Sequence, residues 1–72
     1  MNMDVLYQLG KRIAYLRKQK HMSQLDLSLE TGLSQSYLSE LEKGKRNPTV
    51  NVLNKIAIAL NIDLSNLFKG IQ

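Results

Sequence analysis

Gln35, Ser36, Ser39 and Glu40 lie within "SQSYLSELEKG" at helical spacing, so that on an α-helix they share one side while Tyr37, Leu38 and Leu41 occupy another. Their end groups hydrogen-bond in defined ways: an amide with a donor and an acceptor, two hydroxyls that serve in either sense, and a carboxylate that only accepts. A coat of Lys and Glu would supply charge without such discrimination. Base edges in the major groove of duplex DNA present the matching kind of pattern, because Gln can pair bidentately with adenine, Glu can accept from cytosine and Ser can adapt to either sense.

Residues suited to bond-making chemistry are scarce. The chain has one histidine, no cysteine and six acids, most of them accounted for by helix caps and surface faces. His21 sits in the connector "KQKHMS" beside Lys20 and has no second ligand at helical spacing, which makes it a solvent-facing loop residue rather than a catalytic group or metal ligand. Neither a Walker-type loop nor a dinucleotide fingerprint is present. The expectation is a protein that is not an enzyme, with no catalytic residue, metal, cofactor or small-molecule ligand.

Ten Lys and Arg against six Asp and Glu give a formal charge of +4. Lys11, Arg12, Arg17, Lys18 and Lys20 occur with no acid among them, and Lys43, Lys45 and Arg46 crowd one turn. Two basic runs far apart in sequence suit a polyanion if folding brings them together; a solvated surface is the competing account, and geometry decides between them.

The elements that must position these residues follow from periodicity and caps. Leu6, Leu9, Ile13 and Leu16 form the apolar stripe of a first helix ending near Lys20, with its start at Asp4 or near Gly10. Ser23 with Asp26 three residues on is a capping box, and Gly32 closes that second helix; Leu25, Leu27 and Leu29 alternate as in a strand, but the two caps outweigh so short an alternation. Ser34 caps a third helix that runs to Gly44, and "GKRNP" is a turn. Thr49 caps a fourth helix with Val50, Leu53, Ile56, Ala57 and Leu60 as its buried stripe, ended by Asn61. Asp63 caps a last short helix from Leu64 to about Lys69. The 72 residues thus predict one all-α domain of five helices, with a capped helix, a glycine turn and a polar-faced helix in the arrangement of a helix-turn-helix at helices two and three. No apolar run approaches the roughly 20 residues of a membrane span and no signal peptide is evident, so the expected setting is cytoplasmic and nucleoid-associated, with no membrane partner.

From "LGKRIAYLRKQKHMSQ" through "ALNIDLSNLF", roughly residues 9 to 68, the chain resembles the lambda-repressor-like, Cro/XRE family of bacterial and phage regulators, on the spaced pattern "SQ…L…TGLS…LSELEKGKRNP". The resemblance implies the compact five-helix fold of that family and binding to double-stranded DNA. It further implies that Gln24 and Ser34 bond backbone phosphates, that Gln35, Ser36 and Glu40 face bases, that Tyr37 and Ser39 line the groove wall, and that Lys43, Lys45 and Arg46 contact phosphates beyond the recognition helix. By the same resemblance Arg17 and Glu42 form a partly buried ion pair. Ser28 stands where the family usually has Ala, which fits if its hydroxyl bonds back to a helix carbonyl. Leu25, Leu29, Val52 and Ile58 place extra apolar surface outside.

Small stand-alone regulators of this kind, such as restriction-modification controllers and phage or plasmid repressors, are the nearest functional type, and an antitoxin or regulatory subunit that binds another protein is the alternative. A membrane-surface role for the basic first helix ranks behind both. One recognition helix addresses only a few base pairs, so a homodimer on a roughly palindromic operator is expected. Ile58, Leu67, Phe68 and Ile71 are its expected interface: Ile58 points away from the Leu53, Ile56 and Leu60 stripe, and adjacent Leu67 and Phe68 cannot both face one core.

Overall fold

Ser23, Ser34, Thr49 and Asp63 each hold extended backbone at a helix start and accept a hydrogen bond from the N–H three residues on, at Asp26, Tyr37, Val52 and Asn66. Each bond satisfies a donor that the first turn leaves without a partner. In the computed structural model, which describes residues 3–71, they open four of five helices: α1 Met3–Gln19, α2 Gln24–Thr31, α3 Gln35–Glu42, α4 Val50–Ala59 and α5 Leu64–Leu67. At Ser23 the Asp26 carboxylate also accepts from the Ser23 N–H, completing the box.

Three helices stop in the same way. His21, Gly44 and Asn61 take left-handed backbone with φ of 58°, 78° and 58°. The next residue in each case, Met22, Lys45 or Ile62, donates its N–H to the carbonyl five positions back, at Arg17, Glu40 and Ala57. That bond closes the end of the helix and turns the chain sharply. His21, expected simply to face solvent, is therefore also the stop of α1. The last helix ends at Leu67, two residues short of the expected Lys69.

The first helix runs unbroken through Gly10, and the reason for glycine is packing. A Cβ at position 10 would lie 2.5 Å from the Leu41 carbonyl oxygen and 2.7 Å from that of Glu42, so α1 rests directly on the C-terminal backbone of α3. Beyond this contact α1 packs on α5, α2 on α3 and α4, and α4 on α5. Leu9 and Ile13, Leu27, Leu38 and Leu41, Leu53, Ile56, Ala57 and Leu60, and Leu67 meet in the core.

Three apolar residues depart from expectation. Val50 is exposed, because side chains lean toward the N-terminus of a helix and one in its first turn overhangs the core. Val52 is half-buried against the core rather than outside it. Leu67 is fully buried, so of the adjacent pair it is Leu67 that closes the core, and it offers nothing to a dimer interface.

Candidate nucleic-acid interface

Gly32, at φ 77°, Leu33 and Ser34 make the three-residue turn between α2 and α3. Side chains of α2 pin it. Thr31 Oγ1 donates to the Leu27 carbonyl at 2.7 Å and accepts the Leu33 N–H at 3.2 Å. Ser28 Oγ donates to the Leu33 carbonyl, reaching forward into the turn and not back along its own helix as expected. A small hydroxyl at this point therefore couples the angle between the helices to the turn itself.

On α3, Leu38 and Leu41 are buried while Gln35 and Ser36 are exposed and Ser39 and Glu40 half-buried. Tyr37 packs its ring partly against the core at the border between the two faces. Eight residues of helix extend about 12 Å, matching the roughly 12 Å width of the major groove. Ser34 accepts the Tyr37 N–H at 3.0 Å, which leaves its own O–H proton available to a phosphate oxygen.

Behind α3 lies a buried polar cluster. Arg17 Nε donates to Glu42 Oε2 at 2.7 Å and Nη2 to Oε1 at 3.0 Å, while Nη1 donates to the Met22 carbonyl at 2.8 Å. The two side chains are 9% and 8% exposed, and donating hydrogen bonds to Glu42 pushes the Arg17 pKa up, against burial. Gln24, first in α2, donates Nε2 to Glu42 Oε1 at 2.9 Å. One carboxylate thus gathers the end of α1, the start of α2 and the end of α3, and Gln24 is held at the helix N-terminus where an anion is favoured.

Lys11, Tyr15 and Lys18, spaced to share one face of α1, line a cleft together with Gln24, Ser39 and Lys43. Here the two basic runs meet. Not every cation of the first run joins them: Arg17 is taken by Glu42, and Arg12 donates Nη2 to the carbonyl and side-chain oxygens of Asn66, both at 3.0 Å, bracing α1 on α5. Tyr15 was not singled out from the sequence, and Lys11 and Lys18 stood out only as members of the first basic run; the location of the cleft selects this face of α1 over the others.

Beyond α3, Arg46 folds back over it. Its Nε donates to Glu40 Oε1 at 2.8 Å, and its guanidinium carbon stands 5.3 Å from the Tyr37 ring centre. The Arg46 hydrogen bond and charge, reinforced by Lys45 and Lys43, hold the Glu40 carboxyl below the usual carboxylate range.

Two of the expected interface residues have different neighbours. Ile58 is 69% exposed and borders Glu30 and Thr31 of α2, whereas half-buried Ile71 borders Tyr7 and Arg12 of α1; Phe68 is 39% exposed. Among the described residues no cluster of His, Cys, Asp or Glu is placed to hold a metal, and no helix is long and apolar enough to cross a membrane.

A helix-turn-helix family model, HTH_3, matches residues 13–67. An uncharacterized HTH-type transcriptional regulator of Sinorhizobium fredii, y4dJ, is 43% identical over 60 residues, covering 83% of this chain and 78% of that protein. The control protein C.MunI of a Mycoplasma species is 37% identical over 70 residues, covering 96% and 95%. The crystal structure of the restriction-modification controller protein C.AhdI from Aeromonas hydrophila superposes with a TM-score of 0.86 at 38% identity, covering 88% of this chain and 96% of that one. These relatives are regulators and not enzymes, as the lack of reactive groups led us to expect. The five helices, the three-residue turn before a polar-faced α3 and the span of these matches place the chain in the helix-turn-helix family of transcriptional regulators, with that family's DNA-binding fold.

Proposed function

We propose that this regulator docks α3 in the major groove of duplex DNA, as a homodimer on an inverted repeat, and controls transcription by occupying that site in the cytoplasm. The observation that carries the reading is the cleft of Lys11, Lys18, Gln24, Ser39 and Lys43, which sets cations from both basic runs beside the exposed face of α3. Gln24, Ser34 and the cleft lysines take phosphates; Gln35, Ser36 and Glu40 take base edges, with Tyr37 and Ser39 at the wall; Lys43, Lys45 and Arg46 hold the backbone beyond. Exposed Ile58 and Phe68 supply the contact between two copies, and fully buried Leu67 takes no part in it. A two-fold pairing spaces the recognition helices by about 34 Å, one turn of DNA.

The test is binding to a duplex selected from a randomised pool, followed by anisotropy between about 50 and 200 mM salt. Release of counterions from six or more phosphate contacts lowers affinity about a thousandfold over that range. Binding that ignores salt, or a pool that yields no preferred sequence, would instead favour the protein-interaction module. Sedimentation equilibrium of the parent and of Ile58→Lys with Phe68→Lys tests the pairing; a parent monomeric at tens of micromolar refutes it.

A further inference from the structure

A carboxylate on the DNA-facing side of a recognition helix presents a physical problem, because the phosphates repel it unless a cation travels with it. The fold supplies one. After Glu42 the chain turns through Gly44, and the Lys45 N–H donates to the Glu40 carbonyl at 2.9 Å, so the backbone carrying Arg46 is fixed to the residue it neutralises. The Arg46 guanidinium is then seated on two sides, its edge on Glu40 Oε1 and its face over Tyr37, one helical turn earlier on α3. Glu40 Oε2 accepts no hydrogen bond among the described residues and remains open. Lys45 makes no comparable side-chain contact among them.

Resting on the DNA-binding reading above, we propose that Arg46 is a positioning residue: seated over Tyr37, it holds Glu40 so that Oε2 accepts a cytosine amine, and thereby helps set the preferred base at one position of the bound sequence. The chemistry selects cytosine. Guanine and thymine offer acceptors to the major groove, and adenine places its N7 acceptor beside its amine, where it repels a second acceptor; cytosine presents the amine without that neighbour. Arg46 thus adds a sequence-dependent role to its backbone contact, whereas the charge of Lys45 serves every sequence equally.

The experiment is selection from a randomised duplex pool by the parent, Arg46→Ala, Lys45→Ala, Glu40→Gln and the Glu40→Gln/Arg46→Ala double variant, with thermal midpoints recorded for each. The ion pair is exposed, 52% and 45% at its two side chains, so folding is expected to persist. The parent enriches cytosine at one position; Arg46→Ala lowers that preference about tenfold while preferences elsewhere stand. Lys45→Ala retains it, and the double variant selects as Glu40→Gln alone. Arg46→Ala that weakens all sequences alike, or a parent that selects a sequence without a cytosine sensitive to Glu40, overturns the proposal while leaving DNA recognition standing. A parent that enriches nothing overturns the DNA-binding reading itself.

Discussion

Gln24 Nε2 donates to Glu42 Oε1, the same oxygen that receives Arg17 Nη2. Gln24, proposed to bond a phosphate, is therefore oriented by the ion pair that joins α1 to α3. Glu42→Gln leaves Arg17 charged and buried without its counterion, and Arg17→Met strips Glu42 likewise; each is expected to lower stability by roughly 3 kcal/mol. Urea denaturation checks this, and a midpoint unchanged in both variants would contradict the burial of the pair.

Gly10→Ala tests the contact of α1 with the end of α3. Helix propensity alone favours alanine by about 1 kcal/mol. The new methyl, however, meets backbone oxygens of Leu41 and Glu42 that no rotamer change can move. Overpacking of this kind costs about 1 to 3 kcal/mol, so we expect a net loss of about 1 kcal/mol and a lower thermal midpoint. A more stable variant would mean that the helices part readily.

On the outer face of α3, Gln35→Ala is expected to relax base preference at one position of each half-site, by about 1 to 3 kcal/mol against the best sequence. Lys45→Ala is expected to weaken all sequences alike and to make the salt dependence shallower. Anisotropy on operator and random duplexes separates them. An equal loss on both duplexes for Gln35→Ala would place the reading face elsewhere.

The helix caps carry a pH signature. The Ser23 backbone N–H and hydroxyl bonds lower the pKa of Asp26, and the Ser65 hydroxyl and Asn66 N–H lower that of Asp63. A carboxyl whose pKa is depressed by folding contributes stability above its unfolded value and loses it as pH falls through the folded one. Thermal midpoints should thus decline below about pH 4, and less steeply in Asp26→Asn and Asp63→Asn. Parallel acid profiles for parent and variants would count against these bonds.

Caps and periodicity made the order of helices readable because those signals are local. Ser23, Ser34, Thr49 and Asp63 announce helix starts within a few residues of themselves. Gly10 left the start of α1 open, since the backbone that explains it lies some thirty residues further along the chain. The partner of Glu40 was equally hidden: a neighbouring cation was needed, but only the turn at Gly44 decides that Arg46 supplies it. Leu67 and Phe68 were recognised as unequal, while which of them faced inward depended on how α5 meets α4.

Leu38 and Leu41 anchor α3 from beneath, and none of Gln35, Ser36, Ser39 or Glu40 belongs to the core they join. Heredity can therefore alter the address without disturbing the building. If those four positions read DNA as proposed, substitutions there leave Leu38 and Leu41 in place, so copies of such a gene could drift to new operators by small steps, each descendant inheriting an intact scaffold and only a changed vocabulary.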